Sequence, residues 1–283
     1  MPLDERLEGI AGALPAGALG VCAYDYLSAR QWSFHGDRWF HAASVMKLAV
    51  LVALFDRVSQ GAFTLDCRLH VRNRFLSVVD GAPFRVEAAR DGDPDVYAAL
   101  GRTMRLRELA THMIVTSSNL ATNLLLDLVT TESVNTTMRR LGVTGIDIRR
   151  GVEDDRAFEQ GINNRVTADG VVSLLRRVVD GRALSPPLTA ELIDILHGQQ
   201  FSGTIEPGLP EAIRPAARVA HKTGEISTVS HDAGIVFLPG RPPYVVAILV
   251  ESSGDGRPRL DAGIAASSAV YECIAAEGAA VTR

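Results

Sequence analysis

Residues 43–55 read ASVMKLAVLVALF, a run in which a single position, Lys47, carries a charge. A stretch this apolar, free of glycine and proline and too short to span a bilayer, is expected to be a helix buried on all sides in a globular protein. The helix is expected to start near Ser44 and run to about Gln60, closed by Gly61. A lysine in such a helix has two possible fates. Either its stem snorkels the amine out to water, or burial disfavours the ammonium and makes the amine a base.

Bulk composition narrows the field. The chain has 283 residues, 47% hydrophobic and 22% charged, ordinary for a soluble globular protein with ample surface to bury. A net charge of −4 with signs interspersed gives no electrostatic footprint for nucleic acid or an acidic membrane. Three widely spaced cysteines (Cys22, Cys67, Cys273) argue against a disulfide framework, and Cys22 and Cys273 read as buried structural thiols. The N-terminus lacks the charge pattern of a leader, so a cytoplasmic protein is expected. The seven histidines form no His-x-x-x-His pair, and no glycine-rich phosphate loop is present, so neither metal nor cofactor is expected. Lys and Arg total 29, yet lysine occurs only at Lys47 and Lys222. A coding bias toward arginine explains the surface. It leaves behind lysines that arginine, which cannot be deprotonated, is unable to replace.

Outward from Lys47 the chain changes character twice. A first helix is expected over residues 3–13, then strands in ALGVCAYDY (18–26) and RQWSFHG (30–36), turning at Ser28 and Ala29. Helical periodicity follows over Asp95–Leu100, Leu106–Val115, Leu120–Val129, Glu132–Leu141, Ala168–Val179 and Pro187–Leu196, with polar loops at 72–95 and 149–165. Strands return in ARVAHKTGEIST (217–228), HDAGIVFLPG (231–240) and PYVVAILVES (243–252), before a last helix from about Asp261 to Ala276. Strands at both chain ends and helices between predict an α+β protein of one domain. Its antiparallel sheet with flanking terminal helices would take residues 1–61 and 206–283, and an inserted helical lobe residues 62–205.

Three clusters carry chemistry. Ser44 and Lys47, spaced i and i+3, share one helix face, where a neutral lysine could activate a serine; an N-cap serine followed by a snorkelling lysine is the ordinary alternative. In MIVTSSNLATNLLL (113–126), Ser117 and Asn119 sit where one helical pattern ends and the next begins, and Asn123, inside an apolar helix, needs buried partners. In HKTGEI (221–226), Lys222 and Thr223 offer an ammonium and a hydroxyl suited to a carboxylate. Gly224 there marks a close approach by a ligand within a strand; a turn between strands is the ordinary alternative. His221 and His231 flank this cluster and are expected at a rim.

Taken in order, Ser-x-x-Lys, Ser-x-Asn and Lys-Thr-Gly form the signature of serine penicillin-recognising enzymes. The sequence resembles the class A β-lactamase family and its penicillin-binding relatives, from about Gly20 to Ile274. FHAASVMKLAVL (40–51) is similar to that family's nucleophile helix, and MRLRELATHMIVTSSNLATNLLL (104–126) to the helix around its Ser-Asp-Asn motif. The resemblance implies a β-lactamase/transpeptidase-like fold and an acyl intermediate on Ser44, with Lys47 as base. It implies that Ser117 relays a proton to the leaving nitrogen, that Asn119 holds the substrate amide, and that Lys222 and Thr223 bind its carboxylate. The oxyanion hole would be the N–H groups of Ser44 and Glu225. The partner implied is a small β-lactam, or another acyl ester or amide bearing a carboxylate.

Four departures stand out. Ser118 replaces the motif's middle Asp, and Glu225 occupies a position usually held by a small residue. The stretch before the second motif is long, with SVVDGAPF (77–84) expected over the site. The family's loop glutamate, which activates water for deacylation, is displaced. Aligning the loop ends on Arg149 and Asn164 puts Gly151 at its place, with Glu153 and Glu159 nearby. Glu153 is the candidate to reach the site; simple solvation of an acidic loop is the alternative. If no carboxylate arrives, acylation survives and deacylation is slow, as in a penicillin-binding amidase or esterase. A non-catalytic binding module that keeps only the fold is the third reading.

Overall fold

The computed structural model describes residues 1–254 and 256–281. Its main strands are β1 (Ala18–Asp25), β2 (Arg30–Phe34), β3 (Arg218–Ile226), β4 (Val229–Phe237) and β5 (Tyr244–Glu251). Its main helices are α1 (Leu3–Gly12), α2 (Lys47–Ser59), α3 (Leu106–Val115), α4 (Asn119–Val129), α5 (Thr131–Arg140), α6 (Ala168–Val179), α7 (Pro186–His197) and α8 (Gly256–Val281). These form two compact units: Met1–Val45 with Val166–Arg176 and Phe201–Arg283, and Met46–Arg165 with Arg177–Gln200.

The first unit is built on a five-stranded antiparallel sheet in the order β3-β4-β5-β1-β2. Alternation puts Leu19, Val21 and Ala23 of β1 on the same face as their cross-strand partners Val250, Ile248 and Val246 of β5. That face is covered by Leu3 and Leu7 of α1 and by Ala266, Val270 and Ile274 of α8, so each large side chain contributes about 1.5–3 kcal/mol of burial. β4 lies between two neighbours and is buried nearly throughout. β3 is an edge strand. Cys22 is buried in β1 and Cys273 half-buried in α8, while Cys67 is exposed; all three are free thiols.

α8 begins five residues earlier than its apolar periodicity suggested, at Gly256. Pro258 does not prevent this, because the first-turn N–H that proline lacks has no intrahelical partner anyway.

The second unit is helical. α2 is apolar on every side, and its residues from Lys47 to Asp56 are all buried, with α3, α4, α5 and α7 packed around it. The expected lobes placed this helix with the strands; the contacts place it at the centre of the helices. A helix with no polar face needs a full ring of neighbours, and helices supply it. The loop at 72–95 contains a two-residue hairpin pairing, Phe75–Leu76 with Pro83–Phe84. The loop at 149–165 holds a short helix, Asp155–Glu159. Both are too short for periodicity to reveal. Among the described residues no helix is long and apolar enough to cross a membrane.

Candidate active site

In the second unit the site is built around Lys47, the first residue of α2, whose exposure is 0%. The amine does not snorkel. Its Nζ donates to the Ser117 carbonyl at 2.8 Å, to Asn119 Oδ1 at 2.9 Å and lies 3.1 Å from Ser117 Oγ. Burial pulls its pKa down from 10.5 to about 7, opposed by the nearby carboxylates of Asp91 and Glu153. As an ammonium, the group donates to all three oxygens. As a neutral amine it has two N–H donors for the two carbonyl-type oxygens, and its lone pair accepts the Ser117 hydroxyl proton. The two forms differ by one proton on the amine and by the direction of the Lys47–Ser117 hydrogen bond.

Local backbone geometry brings these groups together. α3 ends at Val115 and α4 begins at Asn119; between them Ser117 takes the left-handed conformation, φ +58°. This rare setting for a side-chain-bearing residue turns the chain sharply and delivers Ser117 and Asn119 to the same amine. Ser118 caps α4 by accepting from the Ala121 N–H at 3.1 Å.

Glu153 joins the same cluster. It too is left-handed, φ +63°, and is 8% exposed. Asn119 Nδ2 donates to Glu153 Oε1 at 2.8 Å and to the Arg90 carbonyl at 3.1 Å, while Asn119 Oδ1 receives Lys47. Glu153 Oε2 accepts from the Glu87 N–H at 3.1 Å and faces Arg90 Nε at 3.7 Å. The partners that Asn123 needs are the backbone of Val152: it donates to Val152 O at 2.8 Å and accepts from Val152 N at 2.7 Å. At Gly151, where the family's glutamate aligns, a Cβ would sit 2.9 Å from Asn123 Oδ1 and press on the amide that holds Val152. Glu159 is exposed at the end of its short helix. The loop is closed as expected near Arg149 and Asn164, with both Arg149 N and Arg150 N donating to Asn164 Oδ1. The 77–84 stretch lies against this loop, Val78 N donating to Asp154 Oδ2 at 3.0 Å.

In the first unit Ser44 is half-buried on a 3-10 turn, Ala43–Met46, that leads directly into α2. Ala43 is left-handed, φ +43°, and its N–H donates to His41 Nδ1 at 3.1 Å. Lys222 is buried on β3, donating to the Thr223 carbonyl at 3.0 Å; Thr223 is half-buried and Glu225 exposed. A Cβ on Gly224 would lie 3.1 Å from Ser44 N and 3.0 Å from Val45 N. The close approach at that glycine is therefore made by the backbone of the serine turn and not by a ligand as expected. It aligns the edge of β3 with the Ser44 amide.

The two histidines are not at a rim. Both are buried, because β4 is a central strand and His221 faces it. His221 Nδ1–H donates to Asp232 Oδ1 at 2.7 Å, and Asp232 Oδ2 accepts from Thr204 N and Ile205 N at 2.9 Å each. His231 accepts from Val250 N and donates from Nε2 to the His41 carbonyl at 2.9 Å, kept neutral by burial that lowers its pKa to about 4. Among the described residues no group of three or more His, Cys, Asp or Glu side chains is placed to hold a metal ion.

Sequence reading missed Arg90, the Glu87 amide and Asp91, all in the aperiodic 72–95 stretch. One signal was available: a motif lacking its carboxylate invites a search for a carboxylate elsewhere.

The second unit thus holds a buried lysine bonded to a serine and an asparagine at a helix junction, and the first a serine turn packed on a Lys-Thr-Gly strand, features of a serine β-lactamase-like protein. The profile of the β-lactamase enzyme family matches residues 2–274, and the chain belongs to that family. Among curated relatives, β-lactamases of Streptomyces albus G and Bacteroides uniformis are each 27% identical; the first alignment covers 94% of this chain and 82% of the relative, the second 75% and 72%. Among solved structures, PBP-A superposes with a TM-score of 0.82 at 25% identity, covering 97% of this chain and 96% of that one. An ancestral (GNCA) class A β-lactamase superposes at 0.80 and 27% identity, covering 96% and 100%. The fold is β-lactamase/transpeptidase-like.

Proposed function

We propose that the protein is a serine hydrolase that opens β-lactam amides through an acyl-Ser44 intermediate. The observation that carries this reading is the fully buried Lys47 amine bonded to Ser117 and Asn119. In the first step the neutral amine takes the Ser44 hydroxyl proton as Oγ attacks the lactam carbonyl. The N–H groups of Ser44 and Glu225 stabilise the oxyanion, and the close seat of Gly224 against the Ser44 amide supports that pairing. The C–N bond breaks, and the proton passes from Lys47 through Ser117 to the leaving nitrogen. Lys222 and Thr223 hold the substrate carboxylate. In the second step Glu153 takes a proton from the water whose oxygen attacks the acyl carbon; the acyl C–Oγ bond then breaks and that proton returns to Ser44 Oγ.

A second reading, a penicillin-binding amidase or esterase with slow deacylation, is favoured by the way Glu153 is held. Both its oxygens already accept hydrogen bonds and Arg90 lies alongside, which leaves fewer lone pairs for water. PBP-A is a structural neighbour, and a PBP-A variant has been captured as an acyl-enzyme with penicillin G.

An intact-mass time course with benzylpenicillin separates these. Hydrolase activity gives an adduct that forms and then disappears, with none on Ser44→Ala and a persistent one on Glu153→Gln. A wild-type adduct that persists favours the second reading. No adduct on the wild type overturns both and leaves a non-catalytic binder.

A further inference from the structure

The second motif lacks its usual middle carboxylate, and Ser118 stands there. We propose that Asp91 supplies this carboxylate from outside the motif, as a positioning residue that holds the Ser117–Asn119 junction. One oxygen of Asp91 does two jobs: Oδ2 accepts from Leu120 N at 2.8 Å and from Ser118 Oγ at 3.1 Å. Leu120 N is an orphan donor in the first turn of α4, and the Ser118 hydroxyl that donates to Asp91 accepts from Ala121 N in turn. A two-member cap results, a hydroxyl backed by a carboxylate, at the positive end of the helix that presents Asn119. Asp91 is itself fixed by the Asp93 N–H, which donates to Oδ1 at 3.2 Å. The backbone next to it is engaged too, since the Arg90 carbonyl accepts from Asn119.

The same carboxylate acts on Lys47. Two acidic groups favour its ammonium, Asp91 first and Glu153 second, against the burial that favours the amine. A serine at position 118 alone would satisfy one helix donor but leave the ammonium without the charge an aspartate there would bring. With Asp91 in place, the hydroxyl and the charge come from two residues instead of one.

Lys47 and Lys222 are the only lysines, so a protein labelled with 13C at lysine Cε gives two signals, assigned with Lys222→Arg. Asp91→Asn keeps an oxygen for Leu120 N–H and removes the charge. The Lys47 titration midpoint should then fall by roughly half a pH unit or more. An unchanged midpoint overturns the proposal, and this readout does not depend on the acyl-Ser44 reading. The activity arm does rest on that reading. Asp91→Ala should slow adduct formation about tenfold, as the junction that presents Ser117 and Asn119 loses its cap and shifts. Adding Ser118→Asp to Asp91→Ala should restore the rate to within about threefold of wild type, while Ser118→Asp alone, which sets two carboxylates face to face, should slow it. A double variant no faster than Asp91→Ala overturns the positioning role. Should Asp91→Ala not fold, the Asn variant and the double variant still decide. A wild type that forms no adduct defeats the acyl-enzyme reading and leaves the lysine titration to judge Asp91.

Discussion

Lys47 should make the stability of the protein rise with pH in a window where most proteins are flat or declining. An ordinary lysine keeps its proton to about 10.5, whereas burial brings this one down to about 7. Below about 7 both the folded and the unfolded chain hold the proton, and the full cost of burying the ammonium is present. Between about 7 and 10.5 the unfolded chain holds a proton that the folded chain has released. Stability there rises at about 1.4 kcal/mol per pH unit. From pH 6 to pH 9 the gain is about 3 kcal/mol. The control is Lys47→Met, which keeps the length and apolar stem and removes the titrating group. It also strips a donor from the Ser117 carbonyl and from Asn119 Oδ1, at about 1 kcal/mol each, a cost that does not vary with pH and so cancels. The assay is urea unfolding of both proteins at several pH values, reading wild type minus variant. That difference should climb by about 3 kcal/mol from pH 6 to 9. A difference constant to within about 0.5 kcal/mol would refute a depressed lysine, and with it the general base on which the acyl-enzyme chemistry depends.

Gly224→Ala should slow adduct formation about tenfold and cost roughly 1–3 kcal/mol, because the new methyl presses on the Ser44 and Val45 amides; a chromogenic β-lactam and a melting curve read both. Glu225→Ala should raise kcat/KM for a carboxylate-bearing β-lactam by about threefold to tenfold, as its exposed carboxylate, on the same face of β3 as Thr223, repels the substrate's own; no change would place its charge out of range. Asn123→Leu should lower stability by about 2–3 kcal/mol through two lost hydrogen bonds to Val152. It should lengthen the life of the adduct in the mass time course more than it slows its formation.

How much of this was legible depends on the distance over which each feature is encoded. The helix at 47–59 and the strands at both chain ends follow from local apolar spacing, and so do the helix junction that carries Ser117 and the strand that carries Lys222. Whether Lys47 is buried could be argued from its neighbours alone, since an all-apolar helix offers no wet face. The rest is non-local. Asp91 meets Ser118 across 27 residues, and Asn119 meets Glu153 across 34, with no periodicity to announce either contact. Glu153 was reachable as a candidate by residue type. The partners that hold it were not, because Asn119, the Glu87 amide and Arg90 reach it from distant stretches of chain. The histidines beside Lys-Thr-Gly were misplaced for a related reason. A strand's central or edge position is set by sheet order, and the order β3-β4-β5-β1-β2 joins strands from opposite ends of the chain.

Backbone strain ties these points together. Ala43, Ser117 and Glu153 all take positive φ without being glycine, at a cost of about 1 kcal/mol each. Each is held by hydrogen bonds beside a functional group: Ala43 by its N–H on His41 next to Ser44, Ser117 by Lys47 on its carbonyl, Glu153 by Asn119 and the Glu87 amide. Glycine would relieve the strain at all three. At positions 117 and 153 it would also delete the hydroxyl or the carboxylate on which the chemistry rests. At 43 it would free the backbone one residue before the nucleophile, whose amide must stay on the edge of β3. Left-handed side-chain-bearing residues at these sites are what a fold accepts when a reactive group and a sharp turn are required of the same residue or its neighbour. Sequence does not announce them, because none of the three is glycine or asparagine, the residues that mark a left-handed position.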